Sequence, residues 1–183
     1  MRKATLFLTT AMAVGAAAIG GAVAADPNHA PASAPAAAVS QPVPEAMPYD
    51  IPYGAPITLG PARHALRTAE VEARKHGWKL DCAVVEPSGE LVSFDKMDGA
   101  QYASIDIAIA KARAAARFRR STKIWSDAVK SGNLAVLSLP GAIALEGGFP
   151  ILRQGRVVGA IGCSGGLANQ DATAARAGAD TMK

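Results

Sequence analysis

The chain is poor in the residues and motifs that announce most chemistries. Its 183 residues include two cysteines and three histidines. These form no Cys-x-x-Cys, no Cys-x-x-Cys-His for covalent attachment of a prosthetic group, and no His-x-x-x-His pair for zinc. Gly-x-Gly-x-x-Gly and the phosphate loop that ends in Lys and Ser or Thr are missing as well, which argues against dinucleotide binding. Charge is close to balanced, with 19 basic and 15 acidic residues. Two of the basic residues, Arg2 and Lys3, stand at the extreme N-terminus; without them the net charge falls from +4 to +2. Nucleic-acid binding needs Lys and Arg gathered on one face, and a chain this balanced gives it no support.

What is present begins with a leader. Met1-Arg2-Lys3 precedes an apolar run from Ala4 to Ala24 with small residues at Ala22 and Ala24, the pattern of a cleavable secretory signal over residues 1–25. The mature chain is therefore expected to start near Asp26 and to be periplasmic or secreted. No second segment is long and apolar enough to span a bilayer. Residues 26–56 hold eight of the twelve prolines among runs of alanine, and His29 lies within them. Such a stretch buries too little apolar surface to order itself and reads as a disordered tether, dispensable for folding. Residues 57–183 then suit one domain with one core.

Within that domain Leu59, Ala62, Leu66, Ala69 and Ala73 recur at helical spacing, with Arg63, Arg67, Glu70 and Arg74 on the other side. Thr58 can cap this helix, Pro61 fits its first turn and Gly77 ends it. Trp78–Glu86 and Leu91–Met97 read as antiparallel strands joined through Pro87-Ser88-Gly89. Ser104 is placed to cap a second helix with an Ile105, Ala108, Ile109, Ala112, Ala116 stripe, and a third helix runs from Ser121 or Thr122 to Gly132. Residues 133–146 read as a loop with some local structure. A hairpin follows, opening at Gly147-Gly148-Phe149-Pro150-Ile151 and turning at Gln154-Gly155, and a last helix covers Asp171 to Met182. Hairpins in place of repeated crossovers predict an α+β fold: a central antiparallel sheet of about five strands with helices packed on it.

Four stretches occur in order: Lys96-Met97-Asp98-Gly99-Ala100, the helix run Lys111 to Phe118, Gly147 to Ile151, and Gly159-Ala160-Ile161-Gly162-Cys163-Ser164-Gly165-Gly166. Together they resemble the GlcG/HbpS family, also called the haem-degrading domain family, over roughly Leu59 to Met182. The resemblance implies a mixed fold around an antiparallel sheet, assembly into symmetric homo-oligomers, and binding of haem or a related tetrapyrrole outside the cytoplasm. It leaves open whether the chain degrades its ligand or only holds it.

Iron takes His, Met, Cys or Tyr as axial ligand. His64, at the edge of the first helix's apolar stripe, is the preferred iron ligand. His76 has a ready structural role at the helix end. Met97 reads as core, and Tyr102 as a polar tip beside it. Arg113, Arg117, Arg119, Arg120 and Lys123 form the densest basic cluster. They read first as a solvated helix face; the sharper reading sets Arg119, Arg120 and Lys123 against porphyrin carboxylates, with Thr122 between them. Asp95, Asp98 and Asp106 have structural explanations, whereas Glu146 stands directly before a glycine pair and could accept a proton. Cys82 and Cys163 lie on expected strands and read as buried thiols in preference to a bridge, and the family usually has an apolar residue where Cys163 stands. The rival to haem is an enzyme or binding module for a small organic acid or aldehyde, using the glycine loops with Glu146 or Cys163. A purely structural oligomeric role needs no pocket.

Overall fold

The computed structural model describes residues 43–182. The expected signal segment, residues 1–25, and residues 26–42 of the expected tether lie outside the described residues. The elements follow in the order α1 (Leu59–Lys75), β1 (Asp81–Val85), β2 (Leu91–Lys96), α2 (Ser104–Phe118), α3 (Lys123–Lys130), β3 (Gly148–Arg153), β4 (Arg156–Ser164) and α4 (Ala168–Ala179). Short 3-10 turns cover Leu134–Ser138 and Asp180–Met182.

The four strands pair antiparallel with one another, in the order β2-β1-β4-β3, and Tyr53 adds one parallel bridge to Val157 of β4. The expected α+β architecture is present with four strands in place of about five. Ala135-Val136-Leu137 could have supplied another, but the chain there winds into a 3-10 turn with Leu134 and Leu137 exposed. Pro140-Gly141 follows and breaks the run before it can pair. The two central strands are buried on both faces. Cys82, Val84, Ile161 and Cys163 join α1 and α4 in one core, while Ala83, Val85 and Ala160 join α2 in a second core on the opposite face. Alternation along the strands sorts the residues between these layers.

Alanine is what lets α2 lie flat on the sheet. Ala108, Ala112, Ala115 and Ala116 have no accessible surface, and a Cβ on Gly162 would collide with the Ala108 carbonyl oxygen and the Ala112 nitrogen. The glycine pair before β3 answers the same constraint. Gly147 has φ +120, and a Cβ there would lie 3.0 Å from Lys111 Nζ, while one on Gly148 would strike the Lys111 carbonyl. Lys111 itself occupies the buried stripe of α2, in step with Ser104, Ala108 and Ala115. Its ammonium donates to Asp171 Oδ2 at 2.7 Å and to the Cys163 carbonyl at 3.0 Å. Asp171 Oδ1 accepts the Gly166 N–H at 2.9 Å. Burial pushes the Lys111 ammonium down and the Asp171 carboxyl up from their ordinary values, and their mutual hydrogen bond opposes both shifts. This pair ties α2 to α4 past the end of β4.

Cys82 and Cys163 are bridged, which overturns the expectation of two buried thiols. They face each other directly in the β1–β4 ladder, on the same side of the sheet, with Cα atoms 4.2 Å apart. Strand register created that proximity across 81 residues of sequence.

The packed chain also begins earlier than the tether boundary at Pro56 suggested. β1 pairs with β4 only as far back as Ala160, so the first residues of β4 have a vacant ladder side. Residues 52–57 fill it. Val157 donates to the Pro52 carbonyl at 2.9 Å, Gly54 to Val157 at 2.9 Å, and Ile57 to Val158 at 2.7 Å. The Tyr53 hydroxyl donates to the Arg117 carbonyl at 2.9 Å, and Ile57 enters the core.

Three outcomes are expected in urea and thermal unfolding. A chain starting at Ile57 should melt at least about 4 °C below one starting at Pro44, through loss of these bonds. Replacing both cysteines by alanine should cost about 2–4 kcal/mol, because the bridge closes a long loop in the unfolded chain. Lys111→Met, which strands a buried carboxylate, should cost about 3–5 kcal/mol, and Lys111→Met with Asp171→Leu should recover part of that loss.

Candidate functional site

The expected site residues divide between the two sides of the sheet. His64 lies on the outward face of α1, where His64, Arg67, Thr68 and Val71 line a shallow hollow of about 280 Å³. Their spacing of three, four and seven residues places them on one stripe of the helix. His64 is exposed, and among the described residues no side-chain hydrogen bond engages its imidazole. Thr68 Oγ1 donates to the His64 carbonyl at 3.0 Å, and Val71 leaves an apolar wall open to solvent. Arg67 supplies a cation at the same hollow.

Arg119, Arg120, Thr122 and Lys123 gather instead between the end of α2 and the start of α3. Each is already engaged. Arg119 donates to the Ile51 carbonyl at 3.0 Å, lies 3.5 Å from Asp50 and sits over the Tyr53 ring. The Arg120 guanidinium is 3.9 Å from the Tyr49 ring centre and bonds the Phe118 carbonyl. Lys123 pairs with Asp127 one turn along α3, and that bond holds its ammonium above the usual lysine range. Thr122 has no accessible surface; its hydroxyl accepts the Gly148 N–H at 3.0 Å and its own N–H donates to the Gly148 carbonyl at 3.0 Å. The hydroxyl expected to cap a helix or meet iron therefore pins α3 to β3. The arginines expected to meet carboxylates of a ligand clamp residues 49–53 of their own chain.

The other possible donors to iron fit poorly. Met97 is part of the core. The His76 ring stacks on Trp78 at 4.3 Å and lies 3.4 Å from Glu72. Tyr102 is 83 % exposed beneath the Lys96 ammonium. Cys163 is bridged and inaccessible, which removes it as a nucleophile. His64 is the residue whose surroundings suit an axial ligand: an exposed imidazole, a neighbouring cation for a carboxylate, and apolar surface beside it. The hollow is too shallow to cover both faces of a porphyrin.

Glu146 lines a separate hollow of about 460 Å³ with Lys123, Phe149, Asn169, Thr173 and Arg176. The Arg176 guanidinium lies over the Phe149 ring at 4.7 Å. Sequence reasoning missed Lys111 and Asp171. The available signal was a lysine in step with alanines on a buried helical stripe, but its partner stands 60 residues away.

The model of the family described as haem degrading protein HbpS-like matches residues 57–180. Protein GlcG of Escherichia coli K12 is 36 % identical over 99 residues, spanning 54 % of this chain and 74 % of that protein. An uncharacterised 15.0 kDa protein of Citrobacter freundii is 32 % identical over 121 residues, 64 % of this chain and 85 % of the other. Among solved structures, a double mutant of Streptomyces reticuli HbpS superposes with a TM-score of 0.65 at 29 % identity, covering 79 % of this chain and 98 % of that one. The matched region takes in every strand, the disulfide, the Lys111–Asp171 pair and the His64 face: the chain belongs to the HbpS-like family.

Proposed function

We propose that this protein binds haem outside the cytoplasm and serves in its sequestration, sensing or degradation, with His64 as the iron ligand. The observation that carries the reading is the exposed, unengaged imidazole of His64 beside Arg67 and Val71, in a chain of the HbpS-like family. The N-terminal leader supports export, and the Cys82–Cys163 bridge suits an oxidising compartment. Because the α1 hollow is shallow, a second copy in a homo-oligomer supplies the opposite wall. In this arrangement the His64 ring offers a nitrogen lone pair, Arg67 receives a carboxylate, and Val71 excludes water from one edge of the ligand. Bound haem supplies redox and small-ligand chemistry; the protein's part is to orient and shield it.

A second reading keeps Glu146. Its hollow brings one carboxylate against Lys123 and Arg176, which suits a small organic acid or aldehyde handled without haem. Ligand-selective turnover in haem-free protein would favour it.

Titrating haem into the domain with and without oxygen should produce a Soret band, and comparing the two conditions separates binding from oxidation. His64→Ala should shift the ferric band and weaken binding at least about tenfold. Replacing Arg119, Arg120 and Lys123 together should lower the melting temperature by freeing residues 49–53, yet leave the band in place. A folded His64→Ala protein with an unaltered spectrum would eliminate His64 as ligand.

A further inference from the structure

A groove on the outward face of α2 has no part in the His64 reading. Asp106, Ile109, Ala110, Arg113 and Arg117 repeat along one side of the helix at three- and four-residue steps. Leu91 of β2 forms one further wall, and Ala142 and Ile143 of the connection between α3 and β3 close over the groove, leaving about 390 Å³. This volume falls in the range of small-molecule sites, roughly 300–1,000 Å³.

The two arginines are held in place by backbone. Arg113 Nε donates to the Gly89 carbonyl at 3.1 Å and Arg117 Nε to the Ser88 carbonyl at 2.7 Å, so the β1–β2 turn fixes both guanidinium groups, and both residues line the groove. Arg117 already attracts one carboxylate, that of Glu90 at 3.6 Å, on a pair more than half exposed on each side. The covering connection is unusual too. It runs for more than a dozen residues between Lys130 and Gly148 with little regular structure, and it leaves Leu134, Leu137, Leu139 and Leu145 between 42 % and 62 % exposed. Long connections of this kind in compact domains commonly carry a binding function.

We propose that this groove binds an apolar monocarboxylic acid, with its carboxylate on Arg113 and Arg117 and its hydrocarbon body along Ile109, Ala110 and Ile143. Polarity runs one way along the helix. Asp106 sits seven residues before Arg113, about 10 Å at 1.5 Å per residue. It repels a second carboxylate at the far end and so selects against dicarboxylic acids of similar length. Among the described residues that line the groove there is no His, Met, Cys or Tyr, so the proposed recognition there is independent of iron.

Decanoate, decanedioate and acetate serve as calorimetric probes of the full domain. Decanoate should bind one per chain, decanedioate at least about fivefold more weakly, and acetate not measurably, since charge alone gives little without apolar burial. Asp106→Asn should close the gap between the two ten-carbon acids. Ala110→Phe fills the groove without touching the core, and Arg113→Gln with Arg117→Gln removes the charge; each should weaken decanoate at least about tenfold. Circular dichroism and melting of Ala110→Phe establish that the variant is folded, so its binding result stands whatever the arginine variant does. No heat with decanoate at millimolar concentration, or full binding by folded Ala110→Phe, would overturn the proposal. A haem titration unchanged by saturating decanoate is the expected result. Mutual competition would assign the groove to the porphyrin and overturn a separate acid site, whereas failure of His64→Ala to alter haem binding would leave the acid site standing.

Discussion

The fold depends on how closely α2 can approach the sheet. Helices on sheets normally stand off by the width of large side chains, but here alanines meet glycines, and the helix backbone touches strand positions where a Cβ would not fit. At that distance one long side chain, Lys111, threads past Gly147 to reach Asp171. Its buried charge is tolerable because the Asp171 carboxylate and the Cys163 carbonyl both accept from it. A larger residue at Gly147, Gly148 or Gly162 would separate the layers and remove those partners together. These three glycines therefore act as a packing device between α2 and the sheet.

The same economy governs the chain's basic residues. A run of arginines at a helix end suggests an anion site when seen as sequence. In the folded protein Arg119 and Arg120 are spent on residues 49–53, and Arg113 and Arg117 on the turn before β2. Guanidinium groups can do both jobs, because one N–H fixed by a backbone carbonyl leaves others directed elsewhere. Arg113 and Arg117 keep that second capacity beside an apolar groove, while Arg119 and Arg120 are covered by the chain they hold.

Two faces thus emerge with different chemistry, one on each side of the sheet. The α1 face presents an imidazole and a cation on a shallow surface. The α2 face presents a deeper apolar groove with fixed arginines and no donor to iron. The disulfide between the central strands stiffens the layer that separates them. Neither surface borrows the buried Lys111–Asp171 pair, which is inaccessible to any ligand and has a structural task.

The α+β class, the strand–turn–strand pairs and the helix stripes were legible because each is written in neighbouring residues: period-3.6 alanines in α1 and α2, Gly77 and Gly132 at helix ends, Gln154-Gly155 in the last hairpin. Local pattern also separated Met97 as core and His64 as a surface residue beside a stripe. Family motifs in order were enough to identify the HbpS-like chain. What the tertiary structure decided were the relations that need register and layer. Cys82 meets Cys163 only because β1 and β4 pair in one frame. Thr122 turns inward because Gly148 has no side chain to keep it out. Residues 52–57 are ordered because β1 stops short and leaves part of the β4 ladder open, something their proline-rich composition could not reveal. Composition and spacing report what a segment can do alone; pairing across 60 to 81 residues is set by the shape of the whole, since those contacts exist only after the layers have closed.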